Sequence, residues 1–445
     1  MSWLLRYRVR TFLRSSLWLP AVASVAAALV AAPLIRLVDD RTRWTLMGFG
    51  IDGAKALTSA LSSSLLTLVV FSFSVILLAV QVAGGQLSPR VIARIYRTHR
   101  LKAVLAPFVF TYTYTLAALG RIEDRVPQLP MLVAVLASLC SVALFLYLIQ
   151  RAGLDLRQGA VLSSVAAETR TVIQTLYPHP FPAPQEGSPA PDLPAAPVPI
   201  TVVHTGPSGV LLAFHAAGLL ELARSAACTI ELVPQVGDFL ATGEDCFRLY
   251  GPGAAAVSGA ALRASLALGS ERILGNDPAF GFRILVDIAI KALSPAINDP
   301  TTGSLAVDQI HHLLHLLSQR KLDPGVVRDA SGTVRLAYRT PCWEDFVTLA
   351  STEIRLCSAG NPQVTRRLQA MFEQLIQVVP AERSAALRAG LALLGRTIDS
   401  GFSDPEDRII AATGDLQGFG SRQNLYYAER ANDGLSVSKT KEIRL

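Results

Sequence analysis

"ALTSALSSSLLTLVVFSFSVILLAVQVAGGQLSP", residues 56–89, holds no Asp, Glu, Lys, Arg or His. As a helix rising about 1.5 Å per residue it would measure about 50 Å, against ~30 Å for the hydrocarbon core of a bilayer. Such a segment belongs in lipid, and it has to tilt, protrude or break, with Gly84-Gly85 as the expected break. Three more uncharged runs flank it, Leu17–Ile35, Ala103–Gly120 and Val126–Gln150, each at or near the ~20 residues that span a bilayer. No comparable run follows Gln150. Charged residues make up 17% of the chain, below the ~25% of soluble domains. The fold class expected is an integral membrane α-helical unit of four transmembrane helices followed by a cytoplasmic α+β domain, mainly helical with a small β-rich module.

Basic residues in short flanks favour the cytoplasm. Arg6, Arg8, Arg10 and Arg14 precede the first run, and Arg90, Arg94, Arg97, Arg100 and Lys102 fill the connection after the second. The other connections are mixed, so the bias places both termini, and with them the C-terminal half, in the cytoplasm. The first run is read as a span and not a cleaved signal, because its apolar stretch is long and more spans follow. Five cysteines without a Cys-x-x-Cys pair are expected as free thiols.

The long run carries a pattern. At about 100° per residue, Ser59, Ser63, Thr67, Ser74 and Gln81 fall on one stripe. A polar stripe in lipid either lines a path built by several copies of the helix or packs against another helix through small hydroxyl side chains. The uncharged runs hold no buried ionisable group of the kind a proton-coupled carrier needs. Beyond the glycines, 88–102 reads as an interfacial helix with Ser88 as N-cap. Arg90, Arg94 and Arg97 face anionic headgroups, and Val91, Ile92, Ile95 and Tyr96 face the acyl boundary. The expected partners are the lipid bilayer and further copies of the chain, not nucleic acid.

The remainder divides into an exit helix at 151–176, a Pro-rich linker at 177–199, a β-rich module at 200–250, a helical region at 251–413 and a polar tail at 414–445. One further strand is expected at 333–340, and helices at about 343–357, 362–379 and 381–400. Within 200–250 no Gly-x-Gly-x-x-Gly or Walker loop appears, so nucleotide binding there has no support, and no cofactor is expected.

The helical region contains Asn-Asp-Pro twice, at 276–278 and 298–300. Asp is a favoured N-cap and Pro a favoured first helical residue, so both copies read as helix starts, and Asp404-Pro405 as the same device. The second start gathers Ser294, Asn298, Asp299, Thr301 and Thr302 around a turn. That turn is either an anion-binding helix N-terminus or a connection whose side chains satisfy its own backbone. Arg283, Asp287 and Lys291 form a charge ladder at i, i+4, i+8. In the helix after the second start, Asp308, His311, His312 and His315 share the polar side, opposite Ala306, Ile310, Leu313 and Leu317. The His311/His315 spacing suits a metal pair, whereas a polar helix face is more simply solvated or in an interface. No Gly-x-Ser-x-Gly, no His-Glu-x-x-His and no convergent catalytic set is present, so an enzyme has the least support.

The stretch "FSFSVILLAVQVAGGQLSPRVI", the Pro-rich exit and above all "NDPAFGFRILVDIAIKALSPAINDPTT" resemble the bacterial predicted membrane proteins grouped as domain-of-unknown-function family 2254. The likeness covers about residues 10–420. It implies an integral membrane protein with a cytoplasmic C-terminal half, and the location expected is the bacterial inner membrane. It implies no reaction, and the histidines at 311–315 are not part of the pattern. The function expected is an oligomeric channel or transport-related protein with a cytoplasmic assembly or gating domain; the alternative is a membrane-anchored scaffold or sensor.

Overall fold

The computed structural model describes residues 3–16, 18–42, 48, 50–86, 99–122, 125–155, 157–181 and 199–415. The expected interfacial segment around Arg90, Arg94 and Arg97, most of the Pro-rich linker and the polar tail from 416 lie outside these residues. The chain forms two compact units, one of Arg6–Val161 and one from Leu162 onward together with the first five residues.

The first unit is helical: α1 (Trp3–Ser15), α2 (Trp18–Thr42), α3 (Ile51–Gln86), α4 (His99–Leu119) and α5 (Gln128–Asp155). Among the described residues, three stretches are long and apolar enough to cross a membrane, Trp18–Thr42, Ile51–Leu78 and Gln128–Arg151. The fourth expected span is α4, whose apolar part is the shorter Leu105–Leu119; the run Thr111-Tyr112-Thr113-Tyr114-Thr115 lowers its hydropathy. The helix α3 runs through Gly84 and Gly85 to Gln86, so the glycine pair does not break it.

Alternating small and large side chains let these helices approach closely. Ala28 and Ala32 of α2 pack with Tyr114 and Ala134, while Ile76 of α3 meets Leu105 and Phe108 of α4. Asp39, near the end of α2, is buried. Its Oδ1 accepts the Leu129 N–H at 2.8 Å, satisfying a donor in the first turn of α5, and Arg125 lies 3.4 Å from Oδ2. One carboxylate thereby ties the second helix to the fifth.

The second unit opens with α6 (Gln158–Leu176), whose buried residues Leu162, Val165, Thr169, Val172 and Ile173 recur at helical spacing. Next come β1 (Ile200–Val203), β2 (Gly209–Phe214), α7 (Ala216–Ser225), β3 (Thr229–Leu232), β4 (Phe239–Leu240) and β5 (Asp245–Tyr250), then α8 (Gly259–Arg263) and β6 (Leu266–Gly269). The helices α9 (Pro278–Ala292) and α10 (Pro300–Ser318) precede β7 (Val326–Arg328) and β8 (Val334–Tyr338). The helices α11 (Trp343–Cys357), α12 (Pro362–Val378), α13 (Ser384–Gly401) and α14 (Pro405–Ala412) complete the unit.

The strands form two sheets, ordered β1-β5-β3-β8-β7 and β4-β2-β6. Strands are not confined to 200–250: β8 pairs with β3 in parallel, Ile230 opposite Leu336. A parallel neighbour needs a long crossover, and here the crossover contains α8, α9 and α10. Leu211, Leu240 and Leu266 from the smaller sheet share a core with Ile230, Phe247 and Leu336 from the larger and Leu219 from α7.

The helix α9 is buried along most of its length and packs against α10 and α11, while α12 packs against α10, α13 and α14. Arginines help to fasten this layer. Arg283 of α9 bonds Asp287 at 2.6 Å and, through both terminal nitrogens, Glu353 of α11, so two members of the expected ladder serve an internal contact. Arg383 donates to the Leu317 and Arg320 carbonyls at 2.7 and 2.9 Å, at the C-terminal end of α10, and its guanidinium lies over the Phe181 ring. A cation at that end satisfies orphan carbonyls and complements the helix dipole.

Glycine at 281, within the first Asn-Asp-Pro segment, has a steric cause: a Cβ there would lie 2.1 Å from Thr169 Oγ1 of α6. Gly281→Ala is expected to destabilise the chain by about 1–3 kcal/mol through overpacking. The reading is a lowered thermal-unfolding midpoint of the detergent-purified chain, partly restored by adding Thr169→Gly. An unchanged midpoint would contradict the α6–α9 contact.

Candidate functional site

Both Asn-Asp-Pro segments start helices. Asp277 accepts the Phe280 N–H at 3.0 Å and pairs with Arg272, and Pro278 opens α9. Asp299 accepts the Thr302 N–H at 3.0 Å through Oδ1 and the Thr302 hydroxyl at 2.5 Å through Oδ2, and Pro300 opens α10. Asp404 caps α14 in the same way, accepting the Glu406 N–H at 2.8 Å. In the turn before α10, the Ser294 hydroxyl donates to the Lys291 carbonyl at 2.7 Å, and the Asn298 N–H to the Ser294 carbonyl at 2.8 Å. Asn298 has φ 48°, a left-handed conformation that Asn tolerates better than most residues. Ser294, Asp299 and Thr302 are thus engaged within the connection, and Asn298 and Thr301 are its exposed side chains among the five singled out from the sequence.

The polar side of α10 is arranged around a residue that the sequence reading missed. Arg367 of α12 is 6% exposed. Its Nε donates to Asp308 Oδ1 at 2.5 Å, and its Nη2 lies 3.0 Å from His311 Nδ1. A guanidinium only donates, so Nδ1 of His311 is the acceptor and the ring is neutral. Burial first, then the charge of Arg367 and the neighbouring His315 and His312, push the His311 pKa down to about 4. His312 and His315 are exposed. The four residues therefore do not act alike: Asp308 and His311 bind an arginine, while two histidines face outward. Among the described residues no group of three or more His, Cys, Asp or Glu is placed to hold a metal ion. Opposite this cluster, Ala306, Ile310, Leu313 and Leu317 are all buried. Arg367 was detectable in principle, because it sits inside the apolar spacing Val364, Leu368, Met371, Leu375 of α12, where a charge signals a buried partner.

In the membrane unit, α3 divides its circumference. Ala54, Thr58, Ser62, Leu65, Ser72 and Ile76 are buried on the side that packs against α4 and α5. Ser59, Ser63, Thr67, Ser74 and Gln81 are exposed, and their stripe is centred roughly 150° around the helix from the buried one. Thr67 and Ser74 return their hydroxyl protons to the Ser63 and Val70 carbonyls, each at 3.1 Å. Hydroxyls also occur inside the bundle, which the stripe did not anticipate: Thr58 bonds the Ala54 carbonyl at 2.8 Å, and Ser141 of α5 bonds Thr111 of α4 at 3.1 Å.

The β part of the second unit carries a cleft of about 470 Å³, lined by Pro234, Phe239, Leu240, Asp238, Asp245 and Arg339 among others. Phe239 is 65% exposed at its rim, and Arg339 lies 3.7 Å from Asp238.

A family model described as predicted membrane protein (DUF2254) matches residues 14–374. The chain belongs to this DUF2254 family. The match takes in α3, both Asn-Asp-Pro starts and Arg367. Uncharacterised proteins of Mycobacterium tuberculosis (strain H37Rv) and Mycobacterium bovis are 27% identical to this DUF2254 chain over 425 residues, covering 91% of it and 80% of their own length. No solved structure matches.

The Arg367 cluster sets a pH dependence. The unfolded chain protonates His311 near its ordinary pKa of about 6.5, whereas the folded DUF2254 chain resists protonation down to about 4. Between those values the unfolded state binds more protons, so this contribution to stability falls as pH drops from about 6.5 towards 4. Thermal unfolding across that window is expected to show a falling midpoint, and His311→Gln a shallower slope. Identical slopes for the two proteins would contradict the arrangement.

Proposed function

We propose that this protein is an oligomeric channel or transport-related protein of the bacterial inner membrane, in which several copies of α3 bring Ser59, Ser63, Thr67, Ser74 and Gln81 around a path for an ion or small polar solute. The observation that carries this reading is the exposure of the stripe on the side of α3 turned away from α4 and α5. Hydroxyl and amide groups gain nothing from acyl chains but can replace water around a solute. Self-bonding to the helix's own carbonyls lowers the cost of leaving the hydroxyls in an apolar setting, and it leaves their oxygens as acceptors.

In this reading α4 is the fourth crossing. Its apolar part is short, and a short span is accommodated by local thinning of the bilayer or by its flanking residues. The Lys and Arg content of the N-terminus and of the connection after α3 supports a cytoplasmic position for both termini, and the second unit then assembles or gates the copies from that side. A second reading, a membrane-anchored scaffold or sensor, has its own support in the cleft beside Phe239, an exposed aromatic ring flanked by charges of both signs.

Flux of small ions through liposomes containing the purified chain tests the first reading. Wild type is expected to exceed protein-free vesicles, and Thr67→Leu or Ser74→Leu to return flux close to that background. Wild-type flux equal to background would reject the path and leave the scaffold reading, which a binding assay with Phe239→Ser examines separately.

A further inference from the structure

We infer that α1 is an interfacial helix that lies on an anionic bilayer surface through Leu5, Val9, Phe12 and Leu13, clamped from both sides by Arg6 and Arg8. All four apolar residues are exposed, Phe12 by 62%. Projected around the helix they occupy an arc of roughly 100°. Arg8 falls just beyond one edge of that arc and Arg6 just beyond the other, and both are exposed. Trp3, Leu4, Tyr7 and Thr11, on the opposite side, are half-buried. An apolar arc with a cation on each border is what an interfacial helix requires. The apolar side chains enter the acyl boundary, and the arginine stems lie along it while their guanidinium groups reach phosphates.

The occupant is a lipid surface and not a protein groove for two reasons. The first is continuity: α2, a candidate membrane span, begins at Trp18 directly after α1, and Trp18, Leu19 and Val22 are themselves exposed, Trp18 by 80%. A tryptophan at the start of a span marks the headgroup level, so α1 meets the membrane where α2 enters it. The second is charge: no acidic residue occurs before Asp39, so the exposed arginines find their complement in anionic headgroups. The inference needs a membrane location but does not depend on α3 forming a path.

The test uses the full chain in nanodiscs of phosphatidylcholine with or without phosphatidylglycerol. The exposed cysteines Cys140, Cys342 and Cys357 are replaced by serine, and a spin label is placed at Val9→Cys or Phe12→Cys. A label at Ile409→Cys in α14, 62% exposed, provides a reference. With phosphatidylglycerol present, labels at 9 and 12 are expected to be more accessible to oxygen and less accessible to a water-soluble nickel chelate than the label at 409. Arg6→Gln with Arg8→Gln is expected to reduce that difference. Nickel accessibility at 9 and 12 equal to that at 409 would overturn the inference. Equal lipid exposure in both kinds of disc would overturn the role of anionic headgroups, and spin–spin broadening between copies would assign the face to a second chain.

Discussion

The membrane unit depends on the packing of one side of α3 against α4 and α5. That contact fixes which residues of a long uncharged helix are interior and, by consequence, which face outward. Ala54, Leu65 and Ile76 supply the small and branched shapes that let the helices close together, and Thr58 and Ser72 enter the same interior because each bonds a carbonyl four residues earlier in its own helix. Thr58 and Ser72 on one side of α3, and Thr67 and Ser74 on the other, thereby have their hydroxyl donors met within the helix, in a setting where an unmet polar group is costly. The same packing leaves a polar stripe pointing away from the bundle, and that stripe carries the functional reading.

In the second unit α9 has the corresponding position. It is buried nearly throughout, so its ends and its few polar groups must be satisfied by neighbours. Asp277 closes its start, Gly281 makes room for α6, and Arg283 joins it to α11. The turn to α10 then reuses the start device, and α10 is held at its far end by Arg383 and along its side by Arg367. Buried arginines bonded to carboxylate, imidazole or carbonyl groups fix the register of these helices. Losing one partner of such a group leaves a charge uncompensated in a poor dielectric.

Much of this was legible in the residues. Asp-Pro pairs announced the starts of α9, α10 and α14 because cap and proline act locally, and the apolar spacing of Ala306, Ile310, Leu313 and Leu317 located the core side of α10. The long uncharged runs placed the N-terminal unit in a membrane. What remained hidden depends on distant partners. The parallel pairing of β3 with β8 joins residues about a hundred positions apart in the chain, and β6 and β7 are too short for a period to show. Arg367 looked like an ordinary basic residue until Asp308 and His311 were beside it, and the two faces of α3 both carry hydroxyls, so the sequence could not tell which of them is interior. The helix α1 was read as a basic flank because its arginines carry all of its charge, although its apolar residues share a face.

The central claim is that the outward stripe of α3 meets other copies of itself. Oxidative cross-linking of Ser74→Cys in native membranes, with the exposed Cys140, Cys342 and Cys357 replaced by serine, tests it most directly. Position 74 points away from α4 and α5, so the account predicts a covalently linked species of two chains, and far less of it from Ile76→Cys on the buried side. A Ser74→Cys chain that stays monomeric under conditions that oxidise exposed thiols would contradict it.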